Sequence, residues 1–384
     1  MKTDIMKTVI HISADFPDPL VPGKTKAVVN LLTASPGFRH IVYSLNRVRW
    51  HRGVALTHFG EGHAAITYGA LPYGVGLTQF LRPVTTAIAR DLQDRQIAPD
   101  LIHAHKFSVE GLVASDIARM ARRPFICSLW GDTDIKIFEH KPGLRRRYRE
   151  IAAEAELMLP AAPWTASYFS QALNLPKSRM PVLPVITAGD TIIPSEPSYS
   201  PRLVSVFHLD SWKRKGLDIL AKAAVEAASD IPGLTLDIYG TGRDVSINAI
   251  ADILRKAGAI KIVRLMGAAP HDQVQRLMNG YTAFVMAPRR ETYGMVHVEA
   301  VLAGLPILWS QDRGIDGLFQ DHTVGYRADP NSVEDVARGL RFLIANERPI
   351  KATIARLQQQ GAFDHLRSPA IAAQYCGLLS SVAT

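Results

Sequence analysis

Short apolar runs rich in β-branched and aromatic residues recur along the whole chain, each followed by a helical pattern, and this alternation narrows the fold more than any other feature. In the first half the runs fall at residues 8–13, 40–44, 101–105, 125–129 and 157–160. In the second half they fall at 203–207, 234–239, 261–266, 283–287 and 306–309. Runs so nearly continuous in apolar residues suit parallel sheets covered on both faces. Patterns at 216–228, 246–257, 272–278 and 295–303 predict helices between them. Strand–helix alternation with right-handed crossovers gives an α/β class made of two doubly wound, Rossmann-like domains.

The boundary between the halves is marked by Pro194, Pro197 and Pro201 set among Ser195, Ser198 and Ser200. We therefore expect a first domain over 1–188, a linker over 189–201 and a second domain over 202–365. Residues 366–384 show helical spacing through Ile371, Tyr375, Leu378 and Leu379, and are expected to pack back on the first domain. A length of 384 residues accommodates two or three domains.

Composition removes several classes of function. An apolar fraction of 47% and a charged fraction of 21% fit a soluble globular chain and exclude disorder. Two cysteines cannot build a disulfide framework or a cysteine zinc site. Cys127 lies in the apolar run at 124–130 and reads as a buried thiol, so a reducing, cytoplasmic setting is the expectation. No apolar stretch reaches the roughly 18 residues of a membrane helix. The formal net charge of +9 concentrates at Arg122 and Arg123 and again over 141–149. Such clusters fit either an anionic membrane surface, with peripheral attachment at its inner face, or a solvated helix face. No nucleic-acid motif or interleaving of basic and aromatic residues accompanies the charge, so nucleic acid is not an expected partner.

Ligands of doubly wound sheets bind at the carboxyl ends of strands beside helix N-termini, and two such domains are expected to place them in the cleft where the domains face each other. The loop after the 283–287 strand is the richest in chemistry. It carries Glu291, Thr292, Tyr293, Gly294 and Met295, and then Glu299 inside the following helix. Helical side chains lean toward the N-terminus, so Glu299 can reach back toward Glu291. Gly294 permits close approach of a ligand to backbone N–H groups, and the helix start offers partial positive charge to a phosphate. Two carboxylates beside a phosphate site serve better as acceptors for sugar hydroxyls than as phosphate ligands. The other arrangement these residues allow is one glutamate stabilising the helix dipole and one facing solvent. His103 and His105 lie two apart at the end of a strand, on one face, but no third ligand of matching pattern appears and no metal site is expected.

Taken together, Glu291 with Glu299 eight residues on, the intervening Tyr293-Gly294-Met295, and Gly304 with Pro306 resemble the signature of the retaining glycosyltransferases of family 4, the "group 1" enzymes with the GT-B fold. The resemblance extends to Pro99 through His105, to Trp130-Gly131-Asp132, to Lys215-Gly216, to Gly240-Thr241-Gly242 and to Met266-Gly267. It implies a hexosyltransferase that moves a sugar from a nucleoside diphosphate sugar, of UDP or GDP type, to a hydroxyl on a polysaccharide or lipid-linked glycan. On that resemblance Glu299 meets the ribose, Glu291 meets the transferred sugar, and backbone at 293–295 meets the diphosphate. Lys215 neutralises the leaving group, with Lys213, Arg214 or His208 as the second cation. Gly240, Gly242 and Gly267 line the base end. His105 takes an active-site role facing the sugar, and no metal or other cofactor is implied. Gly23, Lys24, Asp132 and Asp134 become candidates on the acceptor side or its loops.

The chain departs from the family pattern in four places. Only Gly23 stands where two glycines are common, His208 stands near the usual position of an arginine, Trp130 replaces a frequent histidine, and Ala188-Gly189-Asp190 replaces the usual Asn-Gly-x-Asp. Two other functions share the fold or its ligand: hydrolysis or epimerisation of a nucleotide sugar, and non-catalytic binding of one.

Overall fold

The computed structural model describes residues 6–49, 53–320 and 323–383. They form two compact units. The first comprises residues 1–161, 165–186 and 369–384, and the second 162–164 and 187–368.

Seven strands build the sheet of the first unit: β1 (Thr8–Ser13), β2 (Arg39–Val48), β3 (Val54–Phe59), β4 (His63–Gly69), β5 (Leu101–Ala104), β6 (Phe125–Leu129) and β7 (Leu157–Pro160). Their order is β3-β4-β2-β1-β5-β6-β7, parallel except for the β3–β4 hairpin. Side chains alternate across a sheet, so one strand feeds two cores. Ile10, Ile12, Ile41 and Tyr43 join one apolar layer. Val9, Val42, Leu101 and Ile126 join the other, together with Ile371, Tyr375 and Leu379 of the terminal helix Ser368–Val382. Cys127 is fully buried, and that burial pushes its thiol pKa up.

The second unit holds β8 (Arg202–Val206), β9 (Thr235–Tyr239), β10 (Val263–Gly267), β11 (Ala283–Val285), β12 (Ile307–Ser310) and β13 (Gly325–Ala328) in the order β10-β9-β8-β11-β12-β13, with every pairing parallel. The fold class is thus mixed α/β, with two Rossmann-like units. Helices Leu217–Ala228, Asp244–Lys256, Val274–Asn279 and Met295–Leu302 begin and end within two residues of the sequence patterns.

Strands β3, β4 and β13 have no counterpart among the runs read from sequence. The Pro- and Ser-rich stretch before residue 201 contains no helix or strand, yet it is packed along the second unit. Ile193 N–H donates to Leu302 O (2.8 Å), Ser195 Oγ–H to Asn279 O (3.0 Å), and Lys351 Nζ to Glu196 O (2.7 Å). Among the described residues no helix is long and apolar enough to cross a membrane.

Candidate active site

In the second unit β8 and β11 are neighbours running the same way, so the loops that leave their carboxyl ends lie side by side. The β8 loop supplies His208, Lys213, Arg214 and Lys215 before Gly216 caps the helix Leu217–Ala228. The β11 loop supplies Arg289 and Glu291 before Gly294 caps the helix Met295–Leu302. Both caps sit in the left-handed region, at φ 72° and 82°. Packing adds a second demand for glycine. A Cβ on Gly216 would lie 2.3 Å from Ala287 O, and one on Gly294 would lie 2.9 Å from His297 Nδ1. The loops are also bonded directly, with Arg289 N–H donating to Arg214 O (3.0 Å) and the Arg289 guanidinium gripping both oxygens of Asp218 (2.7 and 2.8 Å).

This contact delivers Lys215 to Glu291, and the two form an ion pair in which both side chains are largely buried. Burial alone would push the Glu291 carboxyl up. The Lys215 ammonium outweighs it, helped by Arg214 and His297, and holds the carboxyl below its usual range. Arg214 Nη1 stands 3.9 Å from Glu291 Oε1, and Thr292 N–H donates to that same oxygen (3.1 Å). Gly314 N–H holds the Glu291 carbonyl (3.1 Å). Of the three candidates for a second cation, Arg214 is therefore the one drawn to the pair. Lys213 lies over the Trp212 ring (5.2 Å), and His208 is exposed.

Glu299 is buried further along the helix and accepts from Gly189 N–H (3.3 Å). Tyr293 is buried, Thr292 half-buried, and Met295 exposed at the mouth of the helix. At the neighbouring strand ends Gly240 N–H donates to Gly267 O (2.8 Å), and Leu209 N–H donates to Thr241 O (2.8 Å), bringing Gly240, Gly242 and Gly267 into one rim. His297, which the sequence did not single out, is buried under this site. Its Nε2 meets Met286 O (3.2 Å), and burial lowers its pKa to about 4.

The first unit gathers a different set. The parallel register places His11 opposite His103 and opposite Val42, two residues beyond His40 on the same face. His105 follows at the end of β5. Among the described residues His11, His103 and His105 bring their ring nitrogens within 4.8 Å of one another. All three are buried, and burial lowers their pKa values, that of His105 to about 3. His103 bonds Tyr375 Oη (2.8 Å) and Ser128 Oγ (2.9 Å). The sequence showed no third ligand of matching pattern beside His103 and His105; the fold brings one to them, because β1 supplies His11 from 92 residues upstream of His103.

Three further candidates take roles set by burial. Lys24 is tied to the buried Asp18 (2.8 Å) and to Ser44 Oγ on β2 (2.8 Å), so its ammonium pins its loop to that strand. Asp134 is fully buried and accepts from Ser108 N–H (2.9 Å), Ser108 Oγ–H (2.6 Å) and Trp130 N–H (3.0 Å), which fixes two strand-end loops to the helix Asp132–His140. Asp132 opens that helix, half-buried, and Gly23 is exposed. Sequence reasoning passed over Glu110, which is fully buried. Its Oε1 accepts from Ala14 N–H (2.9 Å), and burial pushes its pKa up to about 7.

Residues 192–361, most of the second unit and the whole of the Lys215–Glu291 site, match the family model described as Glycosyl transferases group 1. Over 186 residues the chain is 30% identical to the GtfA subunit of a UDP-N-acetylglucosamine–peptide N-acetylglucosaminyltransferase from Streptococcus gordonii. That stretch is 48% of this chain and 34% of the relative, so the match spans about a third of the relative's length. Solved structures share the fold over nearly the whole chain. The Anabaena protein HepE in complex with UDP superposes with a TM-score of 0.70 at 18% identity, covering 98% of this chain and 100% of that one. Sucrose-phosphate synthase from Thermosynechococcus elongatus gives 0.73 at 15% identity, covering 98% and 99%. The fold is that of the GT-B glycosyltransferases.

Proposed function

We propose that this protein is a retaining hexosyltransferase of the family 4 type, transferring a sugar from a nucleoside diphosphate sugar to a hydroxyl of a polysaccharide or lipid-linked glycan. The observation that carries the reading is the Lys215–Glu291 pair at the start of the helix Met295–Leu302. A buried ammonium beside a helix N-terminus is suited to a leaving diphosphate, and fixed charge in a site with little water acts far more strongly than exposed charge. On donor binding Lys215 shifts from Glu291 to the phosphates, with Arg214 as the second cation. Glu291 is then released to accept hydroxyls of the transferred sugar. Glu299 serves the ribose, the rim at Gly240, Gly242 and Gly267 serves the base, and His105 is the first unit's contribution to the reaction. The HepE complex with UDP, on the same fold, makes a uridine donor the first to test.

The lysine supplies the positive charge that a divalent metal supplies elsewhere, so we propose transfer without a metal cofactor. The basic residues at 145–149, on the helix Arg145–Glu154, fit attachment to an anionic membrane surface. The test is turnover of UDP- and GDP-sugars with a hydroxyl acceptor, followed by NMR of the new linkage. The expected product keeps the donor's anomeric configuration and is lost in Glu291→Ala, which stays folded. An inverted product, or full activity in that variant, contradicts the assignment.

A further inference from the structure

The histidines of the first unit do more than cluster: the buried His105 and His11 and the half-buried His40 form a directed chain. Its far end is the Ser35 carbonyl, which meets His40 Nε2 at 2.8 Å. A carbonyl oxygen only accepts, so His40 Nε2 carries the proton. The Ser35 hydroxyl agrees with this, since it gives its own proton to Leu31 O (2.9 Å) and turns its oxygen to the same ring nitrogen (3.1 Å). A neutral imidazole has one N–H and one lone pair. His40 Nδ1 is therefore an acceptor, and His11 Nε2, 2.9 Å away, must donate to it. His11 Nδ1 is then an acceptor in its turn, and His105 Nε2, 3.0 Å away, must donate. The count ends at His105 Nδ1, a bare lone pair. That atom is buried and, among the described residues, has no hydrogen-bond partner. Burial lowers the pKa of every ring in the chain, which keeps the neutral count valid.

We propose that the Ser35 carbonyl, acting through His40 and His11, locks His105 in the tautomer whose Nδ1 can only accept, so that any ligand group meeting it must bring an O–H or N–H. This rests on the reading above in which His105 meets the transferred sugar, whose hydroxyls are such donors. His11 and His40 are then positioning residues, 94 and 65 positions away in sequence, acting on a ligand neither touches. An orphaned acceptor inside a protein is costly until it is filled. The chain thus selects a hydroxyl at this point and disfavours a deoxy position or an anionic oxygen. His103 stands outside the chain, its two nitrogens engaged by Tyr375 and Ser128, so its tautomer is free to differ.

Two-bond proton–nitrogen NMR on protein with 15N-labelled histidine, assigned by His11→Asn, His40→Phe and His105→Asn, reads each tautomer directly and needs no substrate. The expected spectrum of the unsubstituted protein shows His40, His11 and His105 each protonated at Nε2 and bare at Nδ1. In His40→Phe the His11 and His105 signals move toward a mixture of the two tautomers. A His105 ring protonated at Nδ1, a doubly protonated ring, or nitrogens shifted by a stoichiometric bound metal would overturn the proposal, whether or not His40→Phe folds. If the tautomers are as expected but a donor deoxygenated at each sugar position in turn is used as well as the parent, the role of His105 in the proposed transfer fails while the chain itself stands.

Discussion

Gly216 packs so tightly against Ala287 that a single added methyl would sit 2.3 Å from its carbonyl oxygen. This contact joins the loop that carries Lys215 to the loop that carries Glu291, and it explains why the lysine is followed by glycine. Gly216→Ala has to move one loop and also accept a left-handed φ of 72°. We expect a loss of about 1–3 kcal/mol in stability from the backbone strain and a larger proportional loss of donor binding. Chemical denaturation alongside nucleotide titration checks this. An alanine variant with unchanged stability and affinity would show that the two loops are not coupled there.

Lys24 and Asp18 form a pair with 11% and 0% of their side chains exposed. Burial pushes the Asp18 carboxyl up, but Lys24, Ser44 and Asn46 together bring it down to about 2. Its stabilising effect is therefore present above its ordinary value of 3.8 and is lost as pH falls toward 2. Lys24→Met strands a buried carboxylate, at a cost on the order of 3–5 kcal/mol. Adding Asp18→Asn should recover most of that loss. A single variant no less stable than the parent in thermal unfolding would mean that the ion pair is not formed.

The pH response at Glu110 runs the other way. Its folded pKa of about 7 lies above its ordinary 4.5, so the folded chain keeps a proton that the unfolded chain has released. Stability attributable to this residue falls as pH rises from about 4.5 through 7. Glu110→Gln keeps the acceptor for Ala14 N–H and removes the titration. The variant should match the parent near pH 4.5 and exceed it by roughly 3 kcal/mol at pH 8, at about 1.4 kcal/mol per pKa unit. Parallel pH profiles for the two proteins would contradict this placement of the carboxyl.

The second unit's site was open to sequence reasoning because its parts are compact in sequence. Glu291, Gly294 and Glu299 lie on one loop and helix, and Lys215-Gly216 is a doublet after a strand. The histidine chain was closed to it for the opposite reason. His11, His40 and His105 come from three segments that become neighbours only through the order β2-β1-β5, which the strand pattern does not reveal. Strand β3 was missed because it is an edge strand with a half-exposed pattern, carrying Thr57 and His58 where a covered strand would be apolar. The turn Gly60-Glu61-Gly62 between β3 and β4 was the available signal. The stretch ending at Pro201 shows that proline-rich composition excludes helix and strand without excluding packing, since the Ile193 N–H, the Glu196 carbonyl and the Ser195 hydroxyl all bond to other parts of the second unit.

The central claim is that Lys215 leaves Glu291 to hold a diphosphate. Thermal unfolding with UDP and GDP, on the parent protein and on Lys215→Met, tests it most directly. A nucleoside diphosphate at about 100 times its Kd should stabilise the parent by about 2.7 kcal/mol, giving a clear rise in Tm that Lys215→Met largely loses. No rise with either nucleotide, or an equal rise in the variant, would contradict the account.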